Sequence, residues 1–263
     1  MRLGFVTMAL LAALVALYSF RFVGVLNGVW VGVDPGIREV IVADPVGALG
    51  HMLIAPVALL LGPFQFIPRL RDSHRAIHRW TGRVYVAACV ISGSAGLITA
   101  FHASGGPVAG WGFGVLAVLW IAATVSGWWA ATQRQFDLHR LLMRFSYAMT
   151  FGAVTLRLQI PIGFMLGYSS YSAMSVWLAY TAWIPNVLVV ALYTLWDRRN
   201  TTGVRPAEIA SRLLFRPARR GLPPPFMAPS LSLAATRPKR NPPSRAAGSA
   251  VPAPTRDAGC RRS

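Results

Sequence analysis

HRWTGRVYVAACVISGSAGLITAFH, residues 78–102, decides the fold. It opens on a histidine and two arginines and then runs apolar, with no charged residue, as far as His102. A bilayer crossing takes about 20 mainly apolar residues as a helix. Residues 80–102 meet that length, and five further runs do the same near 3–26, 47–67, 111–131, 141–166 and 173–195. The chain is 54% hydrophobic and only 13% charged, too apolar for its long runs to be core helices of a water-soluble domain. Without water to satisfy backbone groups, such segments must be helices or strands of a closed barrel. The runs lack strict alternation, which excludes the barrel. The expectation is an all-α polytopic bundle of about six spans, with the membrane domain over 1–197 and a tail over 198–263.

The first run, MRLGFVTMALLAALVALYSF, has the basic start and apolar stretch of a secretory signal. It has no clear small-x-small cleavage site, and its apolar character continues past Arg21, so a retained first helix is expected. Arginine placement sets the orientation. Residues 68–83 carry Arg69, Arg71, Arg75, Arg79 and Arg83, and the next loop on that side adds Arg134, Arg140 and Arg144. The opposite loops hold Arg38 against Asp34, Glu39 and Asp44, or no charge at all. The positive-inside rule then places both termini in the cytoplasm.

The net charge of +18 divides unevenly, since from Arg198 onward 14 basic residues face only two acids, Glu208 and Asp257. This Pro- and Arg-rich tail buries too little apolar surface to offset its ordering entropy and is expected to be disordered. It suits the anionic lipid headgroups at the cytoplasmic face of the bilayer. Nucleic acid is not expected as a partner, because no aromatic interleaving or folded module accompanies the charge. Cys89 and Cys260 form no framework and no CxxC motif.

The start of the opening stretch has an echo. HRWTGRVYV at 78–86 is matched by HRLLMRFSY at 139–147, each at the arginine-rich entry of a helix running the same way. The paired arginines, Arg79 with Arg83 and Arg140 with Arg144, are four apart on one helix face. Arg157 lies 18 residues beyond His139, five full turns, so both share a face with Met143, Ser146 and Thr150. An arginine at that depth costs a few kcal/mol unless it turns to a partner or water. Asp34, Glu39, Asp44 or the carboxylate of a ligand are the partners expected for Arg157. His51 and Gln65 fall on one face of the second span, beside Pro56 and Pro63, which bend a membrane helix and free carbonyls.

Imidazoles on facing helices supply axial ligands to b-type haem, and arginines neutralise its propionates. On this reading His51, His78 and His139 are candidate haem ligands or proton carriers, and Arg83, Arg144 and Arg157 are candidate anion partners. His78 and His102 are 24 residues apart, about 36 Å of helix, which argues against two fully buried haems and for one haem b or a quinone-type site. The alternative is a small transporter or a protein binding lipid or another anionic ligand, with a structural membrane subunit as the blandest case.

From HMLIAPVALLLGPFQFIPRLR through HRAIHRWTGRVYV, DLHRLLMRFSYAMTFGAVTLRLQIP and WLAYTAWIPNVLVV, the chain resembles the DUF2306 family of bacterial predicted membrane proteins. The likeness covers roughly residues 45–197. It is carried by His51, Gly62, Gln65, His78, Arg79, Gly82, Arg83, Tyr85, His139, Arg140, Met143, Arg144, Arg157, Trp183, Pro185 and Asn186; His102 and the tail stand outside it. The resemblance implies a multi-pass protein of the bacterial inner membrane and carries no activity. The orientation has a direct check. Reporters fused after residue 197 and within 68–78 should both read as cytoplasmic, and a periplasmic signal at either site would invert the assignment.

Overall fold

The computed structural model describes residues 2–202, and these form helices without strands. They are α1 (Arg2–Ser19), α2 (Phe22–Leu26), α3 (Pro35–Ala43), α4 (Pro45–Gln65), α5 (Pro68–Ser73), α6 (Arg75–Ala100), α7 (Gly106–Thr132), α8 (Phe136–Met165), α9 (Tyr171–Thr181) and α10 (Ile184–Thr202). Six stretches are long and apolar enough to cross a membrane: Leu3–Leu26, α4, α6, α7, α8 and Tyr171–Asn200. These are the six expected runs. The first and last are each two helices end to end, and the short helices α3 and α5 lie in the connections before α4 and before α6. Helix α10 continues to Thr202, past the expected boundary at 197. The remainder of the expected disordered tail, residues 203–263, lies outside the described residues.

Backbone chemistry explains the breaks. Proline has no N–H and its ring crowds the carbonyl four residues earlier. Pro185 therefore leaves the Thr181 carbonyl without its helical donor, and the side chain of Gln159 on α8 donates to that carbonyl at 3.2 Å. In α4, Pro63 frees the Leu59 carbonyl, and Tyr147 on α8 donates its hydroxyl there at 3.4 Å. Each proline thus turns a helix defect into a contact with a neighbouring helix.

Helices α4 and α6 form the spine and are pinned at both ends. Asp34 and Asp44 sit at the N-caps of α3 and α4, each followed by the Pro favoured in a first turn. Asp44 accepts from Gly47 N at 2.9 Å with one oxygen and from Thr99 Oγ1 at 2.9 Å with the other, tying the start of α4 to the end of α6. At the arginine-rich end Gln65 Nε2 donates to Thr81 Oγ1 at 2.8 Å. The two helices are antiparallel. Their shared core packs Ala58, Tyr85 and Cys89 against Trp120 of α7 and Tyr147 and Met149 of α8.

Outside this core the helices present large apolar side chains outward, among them Leu10, Leu14, Ile91, Trp111, Val118 and Trp129. In water such a belt would be an aggregation surface; hydrocarbon is the solvent it matches.

Gly62 is where backbone and ring meet most closely, because a Cβ there would overlap the Tyr147 ring. The ring is buried, tilted against Phe66 with centroids 5.5 Å apart, and cannot retreat cheaply. Gly62→Ala should cost roughly 1–3 kcal/mol by overpacking, seen as a lower melting temperature in detergent. An unchanged melt would show that the α4–α8 contact is looser than described.

Candidate functional site

A cavity of about 800 Å³ lies among the helices, walled by α1–α4 and α6–α9. Small residues line it, among them Gly93, Gly96, Ala100, Gly152 and Ala153, together with Pro56 and Pro161. Most of the lining is apolar, including Leu59, Phe113, Leu116 and Leu156. The polar groups gather mainly towards the end opposite the arginine-rich one.

Arg157 projects from α8 into this cavity. Its guanidinium donates to the Ala153 carbonyl and to Ser19 Oγ, both at 3.1 Å. Both acceptors are neutral. The ion pairs Arg71–Asp72 and Arg140–Asp137 lie elsewhere, and no acid among the described residues is within 4 Å of Arg157. The expected pairing with Asp34, Glu39 or Asp44 is therefore corrected. Asp44 has both oxygens occupied, Asp34 lines the cavity while capping α3 through Gly36 N at 2.8 Å, and Glu39 is exposed on α3. Two of the three acids that sequence offers as partners, Asp34 and Asp44, are needed to start helices.

His51 lines the same cavity. Its Nδ1 lies 2.8 Å from the Ser92 carbonyl. A carbonyl oxygen only accepts, so Nδ1 carries the proton and Nε2 of the neutral ring is left as an acceptor. No protein group bonds Nε2 among the described residues. Gly96 makes room for the ring, since a Cβ there would come 2.7 Å from Nδ1. Arg157 lies within electrostatic reach of His51, of Arg21 and of Tyr171. Arg21, from the break between α1 and α2, donates to the Tyr18 hydroxyl and, at 2.6 Å, to the Gly32 carbonyl, while its buried Nε has no partner. Sequence reading missed Ser19, Arg21 and Tyr171 as site residues. The available signal was Arg21 itself, a lone charge inside an apolar run.

The other candidates lie at the arginine-rich end. His139 Nδ1 is 2.8 Å from the Gly127 carbonyl of α7, and His78 is close enough to His139 for their charges to interact. His78 Nδ1 is buried without a partner. The matched motifs do bring their histidines near each other. Their arginines turn elsewhere: Arg83 is exposed and stacks over Trp80 at 4.9 Å, Arg144 stacks over Tyr193 at 5.8 Å, and Arg140 pairs with Asp137. None of His78, His139, Arg83 or Arg144 lines the cavity.

Between the two ends runs a buried hydroxyl network. Tyr85 Oη contacts Ser146 Oγ at 2.8 Å and Thr150 Oγ1 at 3.1 Å, Thr124 reaches Ser146 at 2.7 Å, and Trp120 Nε1 donates to Thr150 at 2.9 Å. The polar stripe read on α8 is this network with Arg157 above it. His51 sits 14 residues up α4 from Gln65, which marks the inner level, a rise of about 21 Å. One macrocycle cannot take axial nitrogens from His51 and from His78 or His139. His102 is exposed beyond α6 and does not line the cavity. The cavity offers one imidazole where a bis-imidazole haem b needs two.

Six apolar helices around an amphipathic cavity define a polytopic helical membrane protein. Residues 48–194 match the family described as "Predicted membrane protein (DUF2306)", and the chain belongs to that family. No curated protein and no solved structure matches the chain. The matched segment contains His51 and Arg157; Ser19, Arg21 and Asp34 precede it.

A charge held by neutral acceptors is a standing cost to the empty protein. Replacing it by an apolar side chain of similar length should remove that cost. Arg157→Met is expected to stabilise the ligand-free protein by roughly 1–3 kcal/mol, read as a raised melting temperature. A lowered one would make Arg157 a structural strut.

Proposed function

We propose that this protein binds an amphipathic ligand with an anionic head inside the bilayer, the head on Arg157 and the apolar part along the cavity wall. The setting is the bacterial inner membrane, with the arginine-rich end in the cytoplasm. The observation that carries this reading is the Arg157 guanidinium, which opens on the cavity and has no carboxylate partner among the described residues. Ionisable groups at membrane depth face cavities or partners and mark ligand paths. The volume and mainly apolar lining fall in the range of small-molecule sites.

Charge ranks the alternatives. A neutral quinone head would accept hydrogen bonds from Arg157 but leave its charge uncompensated. Haem would bring anionic propionates, yet the cavity has a single imidazole, His51, to offer its iron. A monoanionic lipid or fatty acid answers both the charge and the apolar wall. This supports the anionic-ligand reading over the redox one.

The test is competition binding by native mass spectrometry on the purified full chain in detergent, with dioleoyl phosphatidylglycerol, oleate and dioleoyl phosphatidylcholine as probes. At least one anionic probe should outcompete phosphatidylcholine, and Arg157→Gln should weaken it by about tenfold or more, as for a lost charge-assisted bond. Equal binding of all three, or binding indifferent to Arg157→Gln, would overturn the proposal. A Soret band lost in His51→Ala would replace it with haem.

A further inference from the structure

The polar end of the cavity contains more than one cation. Arg157 and Arg21 contribute two positive charges and Asp34 one negative, and all three line the cavity. Tyr171, within reach of both Arg157 and Asp34, is a neutral phenol. The sum is a single uncompensated positive charge in a low-dielectric site, which a monoanion neutralises and a dianion overshoots. Unspent donors are Arg21 Nε, buried without a partner, and the remaining N–H groups of Arg157.

The site also has an unspent acceptor. Because the Ser92 carbonyl fixes the proton on Nδ1, His51 turns a bare Nε2 to its surroundings beside Arg157. A fully deprotonated carboxylate has no hydrogen to give it. A phosphate diester of a simple alcohol has none either. An acceptor left unpaired when the cavity fills costs about as much as a lost hydrogen bond.

Resting on the anionic-ligand reading above, we propose that the ligand is a hydroxyl-bearing, singly charged phospholipid head: Arg157 and Arg21 take the phosphate oxygens, and His51 Nε2 accepts from the hydroxyl. Two sources share this chemistry. The hydroxyl belongs either to the alcohol, as in phosphatidylglycerol, or to the phosphate itself, as in singly ionised phosphatidic acid.

The experiment compares dioleoyl phosphatidylglycerol, phosphatidic acid and phosphatidylethanol in equimolar competition on the detergent-purified full chain, read by native mass spectrometry. Phosphatidylethanol is the control, being an anionic diester without a hydroxyl. At pH 7, above the ordinary imidazole value of about 6.5, Nε2 is mostly bare, and part of the phosphatidic acid still holds the second proton of its monoester. At least one hydroxylated lipid should exceed phosphatidylethanol by roughly five- to tenfold, the worth of one buried hydrogen bond. Preference for phosphatidylglycerol assigns the alcohol hydroxyl, and preference for phosphatidic acid assigns the phosphate's own. His51→Phe should remove the preference, bringing the hydroxylated lipids down to the level of phosphatidylethanol. Gly96→Ala, which crowds the ring while keeping the imidazole, should weaken the preference in the same direction, so one misfolded variant does not decide the matter.

No preference in the wild type overturns the hydroxyl assignment, and Arg157-dependent binding of all three would then leave the broader reading intact. Preference that survives both variants overturns the role of His51. Absence of any Arg157-dependent binding overturns both readings together.

Discussion

A bilayer offers its buried backbone and charges nothing to bond with, and most of this structure follows from that shortage. Pro63 and Pro185 each strand a carbonyl, and a side chain from a neighbouring helix reaches it: Tyr147 for Leu59 and Gln159 for Thr181. The acids near the helix starts are spent on orphan N–H groups, Asp34 for α3 and Asp44 for α4. Hydroxyls in the centre satisfy one another through Tyr85, Ser146, Thr150 and Thr124. Against that economy Arg157 stands out, a full charge answered only by a carbonyl and a serine.

What could be read in the sequence follows the same division. Span number and register were legible because a 20-residue apolar requirement is a coarse filter that composition alone satisfies or fails. The inward face of α8 was legible too, since helical periodicity places Ser146, Thr150 and Arg157 together whatever their neighbours. Which acid would meet Arg157 was not. That depended on whether Asp34 and Asp44 preferred a distant guanidinium or the amides two or three residues away. The local cap costs far less ordering entropy, and it won.

The histidines divide for a related reason. Periodicity fixes the direction of a side chain, and a repeated motif at matched depth does place His78 near His139. It cannot say whether space lies beside them. Space is a property of how neighbouring helices meet, here with Gly96 of α6 leaving room for the His51 ring at the cavity wall. Gly96 gave no motif of its own. The cavity therefore opened beside His51, at the end where the motif does not occur.

The origin of the polar groups carries a last consequence. His51 and Arg157 lie within the segment shared with the family, whereas Ser19, Arg21 and Asp34 come from α1, its broken end and the start of α3. The guanidinium and the imidazole acceptor are thus set in the shared bundle, and the second cation and the neutralising acid are laid over them by the preceding helices. In a low-dielectric site the net charge decides which head is tolerated, and one residue added or lost changes it by a whole unit. On the proposed anionic-ligand reading, the N-terminal helices are the part of the fold that sets selectivity, acting on a pocket whose anchor is Arg157.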